Sequence, residues 1–163
     1  MKIYEILPGK LLQSARTHQL TDAEVLALIE RYKVTAVVNL WHTADPRVQE
    51  RVKWYEHISL PDGIIHGHVA RAAEETATLV VEEINRGGCV LSHCWGGKNR
   101  SGLISALALI RLQGITGAEA VSAIKSVRRG ALVNKFFVNY LENTYYERRP
   151  ITGNIGQREN VDS

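Results

Sequence analysis

The chain has 163 residues, 45% of them hydrophobic and 23% charged, a balance that suits one globular domain with one core and excludes a disordered or low-complexity chain. Its net charge of +3 is uneven, −2 over residues 1–86 and +5 over residues 87–163, so an anionic partner is expected to meet the second half. No apolar run reaches the ~18 residues of a membrane span, no signal-peptide core follows Met1, and no five basic residues stand together; a cytoplasmic location is expected, and neither a membrane span nor a nucleic-acid partner.

Ile3–Ile6 and Lys10–Ala15 predict two short strands around the turn Pro8-Gly9. Thr21-Asp22-Ala23-Glu24 is a capping box that opens a helix ending near Tyr32. Thr35–Leu40 is a β-branched apolar run, hence a buried strand. Asp45-Pro46 has the pattern of an N-cap followed by proline at the first helical position, with a short helix to about Lys53. Trp54–Leu60 is a strand candidate, broken by Pro61-Asp62-Gly63.

A long helix is predicted from His68 to Arg86, stopped by Gly87-Gly88. Cys89–His93 is the next strand. Ser101–Leu112 is an apolar helix stopped by Gly114, and Gly117–Arg128 and Asn134–Glu147 are amphipathic helices. Periodicity ends at Pro150, so residues 1–149 form the expected domain and residues 150–163 an expected mobile tail. Strands alternating with helices predict a single-domain α/β fold, with a mostly parallel central sheet of about five strands flanked by helices. Ligands of such sheets sit at the carboxyl ends of strands.

The stretch HCWGGKNRSG, residues 93–102, occupies such a place, between a strand and the N-terminus of a helix. A tight loop there turns successive N–H groups inward and makes an anion-binding nest at the positive end of a helix dipole. Gly96 and Gly97 permit the backbone geometry, and Arg100 offers a planar fork of donors matched to phosphate oxygens. A thiol on the rim of that nest is favoured as thiolate by the field that holds the anion. Cys94 so placed suits in-line attack on phosphorus and a covalent phosphocysteine.

Other uses of these residues fail on spacing. A nucleotide-binding P-loop needs G-x-x-x-x-G-K-[ST], but Ser92 stands at the first glycine position and Asn99 at the hydroxyl position. A redox pair needs C-x-x-C, and across an intact strand Cys89 and Cys94 lie ~16 Å apart, beyond disulfide reach. His18, His42, His57, His66 and His68 make no zinc spacing with His93 and Cys94. No metal and no cofactor are expected.

His93, Cys94, Gly97, Arg100 and Ser101 resemble the H-C-x-x-G-x-x-R-[ST] signature of the cysteine-dependent protein-tyrosine phosphatases, in their small dual-specificity branch. Leu12–Ala15 resembles an early strand of that branch, and Gly117–Arg128, Asn134 and Phe137 its closing helices. The resemblance implies a metal-independent phosphomonoesterase acting on phosphotyrosine in proteins, with phosphoserine and phosphothreonine as further substrates. Cys94 is then the nucleophile, Trp95, Gly96, Gly97, Lys98, Asn99 and Arg100 hold the phosphate, Ser101 assists breakdown of the intermediate, and His93 hydrogen-bonds to shape the loop. The leaving oxygen needs an acid, for which the candidates are Asp62 and Asp45. Asp62 is preferred, because the resembling family takes its acid from a loop at about this separation and Asp45 has the capping role. A phosphoinositide, an RNA 5′-phosphate and a non-catalytic phosphate-binding module are the alternatives. Relatives acting on inositol lipids carry two basic loop residues besides the arginine, and here there is Lys98 alone. Cys89 is expected to be a small apolar strand residue, and the roles of Trp95, His66 and His68 stay open.

Overall fold

A computed structural model describes residues 1–151; the expected mobile tail lies, from residue 152, outside them. The five strands are β1 (Tyr4–Leu7), β2 (Leu11–Ser14), β3 (Ala36–Asn39), β4 (Trp54–His57) and β5 (Val90–His93). They form one sheet in the order β1-β2-β5-β3-β4, antiparallel only between β1 and β2. The helices are α1 (Asp22–Tyr32), α2 (Pro46–Gln49), α3 (Gly67–Asn85), α4 (Arg100–Gln113), α5 (Gly117–Val127) and α6 (Lys135–Thr144). Among the described residues no helix is long and apolar enough to cross a membrane.

The three inner strands, LLQS, AVVN and VLSH, are buried along their whole length, as strands covered on both faces must be. Alternation sorts their side chains. Leu11, Ala36, Val38 and Val90 pack with α3 to α6, whereas Leu12, Val37 and Leu91 pack with Val25 and Ile29 of α1. Helix α4 is the centre of the larger layer, buried at every position from Ser101 to Ile110. That is why its sequence is apolar on all sides. Capping boxes begin α1 at Thr21/Glu24 and α5 at Thr116/Glu119.

Three elements stop earlier than the sequence suggests. The segment after Asp45 is helical only to Gln49, and the expected cap at Asp45 is not made, its carboxylate being used by Thr17 and Arg47. Strand β4 ends at His57 rather than Leu60, since its only neighbour, β3, ends at Asn39. Helix α6 ends at Thr144, where the next carbonyl, that of Tyr145, accepts the Gly117 N–H at 2.7 Å. A 3₁₀ turn at Thr17–Gln19 carries no periodic signal and goes unread in the sequence. Parallel pairing brings Ser14, His93, Asn39 and His57 level at one edge of the sheet. The chain leaves β5 there, at the middle of the sheet, and enters α4 through residues 94–99.

Candidate active site

Four successive carbonyls of this loop are held from outside. The Trp95 carbonyl accepts the Arg16 N–H at 3.2 Å, and that of Gly96 accepts Arg128 Nη2 at 2.6 Å. The Gly97 carbonyl accepts the buried Gln13 Nε2 at 3.1 Å, and that of Lys98 accepts the Leu132 N–H at 3.2 Å. In a planar trans peptide the N–H points opposite to the carbonyl of the same unit. With the carbonyls of residues 95–98 turned outward to the scaffold, the N–H groups of Gly96, Gly97, Lys98 and Asn99 turn to the loop's interior. Asn99 is the N-cap residue of α4 but spends no side-chain bond on capping it, so the first N–H groups of that helix face the same space.

Gly97 is required twice over. Its φ is +59°, and a Cβ there would sit 2.1 Å from the Ser14 carbonyl oxygen and 2.6 Å from the Ala15 nitrogen. Both are backbone atoms at the end of β2, which cannot rotate away. Gly97→Ala is expected to destabilise the protein by about 3 kcal/mol through overpacking and left-handed strain. A denaturant melt of the variant checks it, and a loss below ~0.5 kcal/mol would mean that the loop is not wedged against β2.

Cys94 is 2% exposed, with Sγ 3.4 Å from Ser101 Oγ, in the first turn of α4. Arg100 donates from Nη1 to the Leu60 carbonyl at 3.3 Å, while its buried Nε has no partner. His93 points to the opposite face of the sheet, its ring 6.4 Å from that of His18. The ring nitrogens make no full hydrogen bond, but the backbone of the adjacent Cys94 acts on the ring as a polar partner. Burial, reinforced by the charge of His18, pushes its pKa down to about 3, so the ring is uncharged near neutral pH. Cys89, at the other end of the strand, is 4% exposed, and burial pushes its thiol up to about 11.

The two acid candidates part company. Asp45 is 2% exposed and takes both Nε and Nη2 of Arg47, at 2.9 and 3.0 Å, with the Thr17 hydroxyl at 2.7 Å. Burial raises its pKa, but the hydrogen bonds from Arg47 and Thr17 outweigh that and hold the carboxyl below its ordinary value. Asp62 is exposed and tied to the loop, for its Oδ2 accepts Asn99 Nδ2 at 3.1 Å and its Oδ1 accepts Asn134 Nδ2 at 2.9 Å. Asn134 also caps α6, accepting the Phe136 and Phe137 N–H groups, and donates to the Gly63 carbonyl at 3.2 Å. Its place before Lys-Phe-Phe marks it in the sequence as an N-cap, not as a holder of Asp62.

Trp95 stands half exposed on the rim. The Arg16 guanidinium lies 3.4 Å from its ring centroid and 5.6 Å from that of Trp41. Trp95 thus meets Arg16, two residues beyond β2, through both its ring and its carbonyl. Lys98 is exposed. His66 and His68 stack on each other, ring centroids 6.0 Å apart, at the exposed start of α3. The structure therefore brings together Cys94, Trp95 to Asn99, Arg100, Ser101 and Asp62, and leaves Asp45 and Cys89 elsewhere. Gln13 and Arg128 fall in segments that carry the resemblance, but nothing in the sequence marks Gln13, Arg16, Arg128 or Leu132 as supports of the loop. Only Leu132, a buried leucine at φ +51°, is conspicuous once the backbone is seen.

Residues 3–120 match a family described as the tyrosine phosphatase family. Dual specificity protein phosphatase 1 of Arabidopsis thaliana is 36% identical over 70 residues, 43% of this chain and 35% of that one; the chain thus spans about a third of the length of that curated relative. Among solved structures, DUSP15 is similar at 24% identity with a TM-score of 0.74, over 88% of this chain and 87% of that one. Human DUSP28 is similar at 20% identity and 0.72, over 88% and 93%. Tk-PTP in its active form is similar at 21% and 0.74, over 89% and 97%.

Proposed function

The chain belongs to the tyrosine phosphatase family, and on that premise we propose that it hydrolyses phosphotyrosine in proteins, and phosphoserine and phosphothreonine with it, through a phosphocysteine on Cys94. The observation that carries this reading is the outward anchoring of four loop carbonyls around Cys94. It gives a cradle of N–H donors fixed before any ligand arrives, which is how charge developing on transferred oxygens is stabilised.

In the first step the Cys94 thiolate forms an S–P bond as the P–O bond to the substrate breaks. The leaving oxygen takes a proton from Asp62. Arg100 and the loop N–H groups hold the three non-bridging oxygens. In the second step Asp62, now a carboxylate, takes a proton from water while its oxygen attacks phosphorus. The P–S bond breaks, the sulfur leaves as thiolate with Ser101 Oγ donating to it, and inorganic phosphate departs. Both steps use protein groups alone, so turnover of p-nitrophenyl phosphate is expected to be indifferent to chelator and blocked by vanadate.

Asp62→Asn keeps the side-chain size and one of the two acceptors that Asn99 and Asn134 use, and holds no transferable proton. Turnover of phosphotyrosine peptides is expected to fall by about 10²–10⁴-fold. The fall should be smaller for substrates whose leaving group is already acidic. Rates across a series of aryl phosphates check this, and an equal loss for every leaving group would assign the proton to another residue.

A second reading keeps the chemistry and changes the substrate. PTPMT1, which has been solved in complex with PI(5)P, is similar at 16% identity and a TM-score of 0.69, and Lys98 stands exposed beside the cradle. A panel of phosphopeptides, phosphoinositide vesicles and RNA 5′-phosphate ends, run on one preparation, separates the readings. Tight phosphopeptide binding without turnover would instead make this a phosphate-binding module.

A further inference from the structure

Beside Asp62 the surface carries more apolar area than the chemistry needs. Ile64, Val133 and Phe136 are 54%, 60% and 50% exposed. Val133 and Phe136 line an open groove of about 470 Å³ together with Asp62, Asn99, Asn134 and Lys135. Ile64 belongs to the same edge, since the Asn134 side chain binds the Gly63 carbonyl next to it.

These side chains are held out by a fixed backbone. Leu132, at φ +51°, is buried, and the chain turns there so that the next residue, Val133, faces solvent. The N–H groups of Val133 and Asn134 both bind Asn99 Oδ1, at 2.9 and 3.0 Å, and Asn134 in turn caps the helix that presents Phe136. A preformed apolar surface loses little entropy when it is covered. Single exposed apolar residues are ordinary; two lining one groove that includes Asp62 and Asn99, with a third next to Gly63 of its lining, are not.

Resting on the reading of the site as a protein-tyrosine phosphatase, we propose that this groove is a substrate subsite for one large apolar side chain close to the phosphotyrosine. Asp62 must reach the ester oxygen, so the substrate backbone passes over the groove that Asp62 lines. In an extended peptide, residues one to three positions away lie ~3–10 Å along the chain. Lys135 at the groove's margin adds a preference for an acidic neighbour.

The test is a set of phosphotyrosine peptides on an alanine background. One leucine is stepped from three residues before the phosphotyrosine to three after it. kcat/KM is expressed relative to p-nitrophenyl phosphate in the same preparation. Leucine at one or two adjacent positions is expected to raise this ratio by about tenfold over alanine. Phe136→Ser and Val133→Ser, both changes at exposed positions, should each remove most of the gain. A flat profile, or a leucine preference that survives both substitutions together, overturns the subsite. So does faster hydrolysis of phosphoinositide vesicles than of any peptide, with the same substitutions slowing it, which would make the patch a lipid contact. Loss of p-nitrophenyl phosphate turnover in the wild-type protein would remove the phosphatase reading itself, and the subsite with it.

Discussion

Cys94→Ser is expected to lower turnover of p-nitrophenyl phosphate and of phosphopeptides by at least ~10⁴-fold, the scale on which loss of a covalent nucleophile is felt. The substitution is nearly isosteric, and the residue is buried at the end of a central strand, so the fold should survive. What is lost is the ability to attack without help. A serine hydroxyl needs a base, and in this step Asp62 serves as the acid. The adjacent His93 lies on the other side of the sheet and keeps no contact with the sulfur, and Asp45 is consumed by Arg47 and Thr17. Ser101, the side chain that does touch the sulfur, at 3.4 Å, is itself a hydroxyl. The cradle of N–H groups does not depend on the sulfur, so the variant should still bind phosphopeptide and release it unhydrolysed. Stopped turnover with retained binding is therefore the expected pair of results, read by initial rates and by calorimetric titration. Residual activity above ~1% of wild type would mean that phosphorus is attacked by something other than Cys94.

The signature loop was legible because its chemistry is local. A thiol, two glycines and an arginine at fixed spacing between an apolar strand and an apolar helix leave few alternatives, and the strand-loop-helix order is found as expected. The capping boxes at Thr21 and Thr116 mark the starts of their helices for the same reason, since donor and acceptor lie three residues apart. What the sequence hid is non-local. The groups that turn the loop carbonyls outward come from residue 13, residue 16, residue 128 and residue 132, and no spacing connects a glutamine at 13 with a glycine at 97. Asp45 and Asp62 each stand beside a proline in a loop. The sequence prefers Asp62 by resemblance and by the capping pattern at Asp45, but does not show the partners that separate them, Thr17 and Arg47 over one and Asn99 and Asn134 on the other. Asn134 illustrates the limit well: its helix-capping half is written in the neighbouring residues, and its hold on Asp62, 72 positions away, is not.

Arg100→Lys is expected to reduce kcat/KM by about 10³-fold although the charge is kept, with most of the loss in kcat. Arg100 Nη1 is tied to the Leu60 carbonyl, which fixes the plane of the guanidinium, while Nε is buried and without a partner. A buried donor left unpaired costs about 1–3 kcal/mol, a cost that a fold keeps where a ligand atom completes the bond. On the proposed reading that ligand is a phosphoryl oxygen, since Arg100 is the first residue of α4, beside the inward N–H groups of the loop. A fork of two parallel N–H donors matches two equatorial oxygens of phosphorus in the transition state, where they lie in one plane, better than the same oxygens in the tetrahedral ground state. A lysine ammonium supplies a point charge at one oxygen and leaves the other without a donor, so it keeps part of the binding and loses the discrimination between ground and transition state. Vanadate, whose bound form resembles the transition state, should accordingly lose more affinity than inorganic phosphate does. If Arg100→Lys falls by less than about tenfold, or weakens phosphate and vanadate equally, then charge alone is what position 100 contributes, and the planar fork has no part in the chemistry.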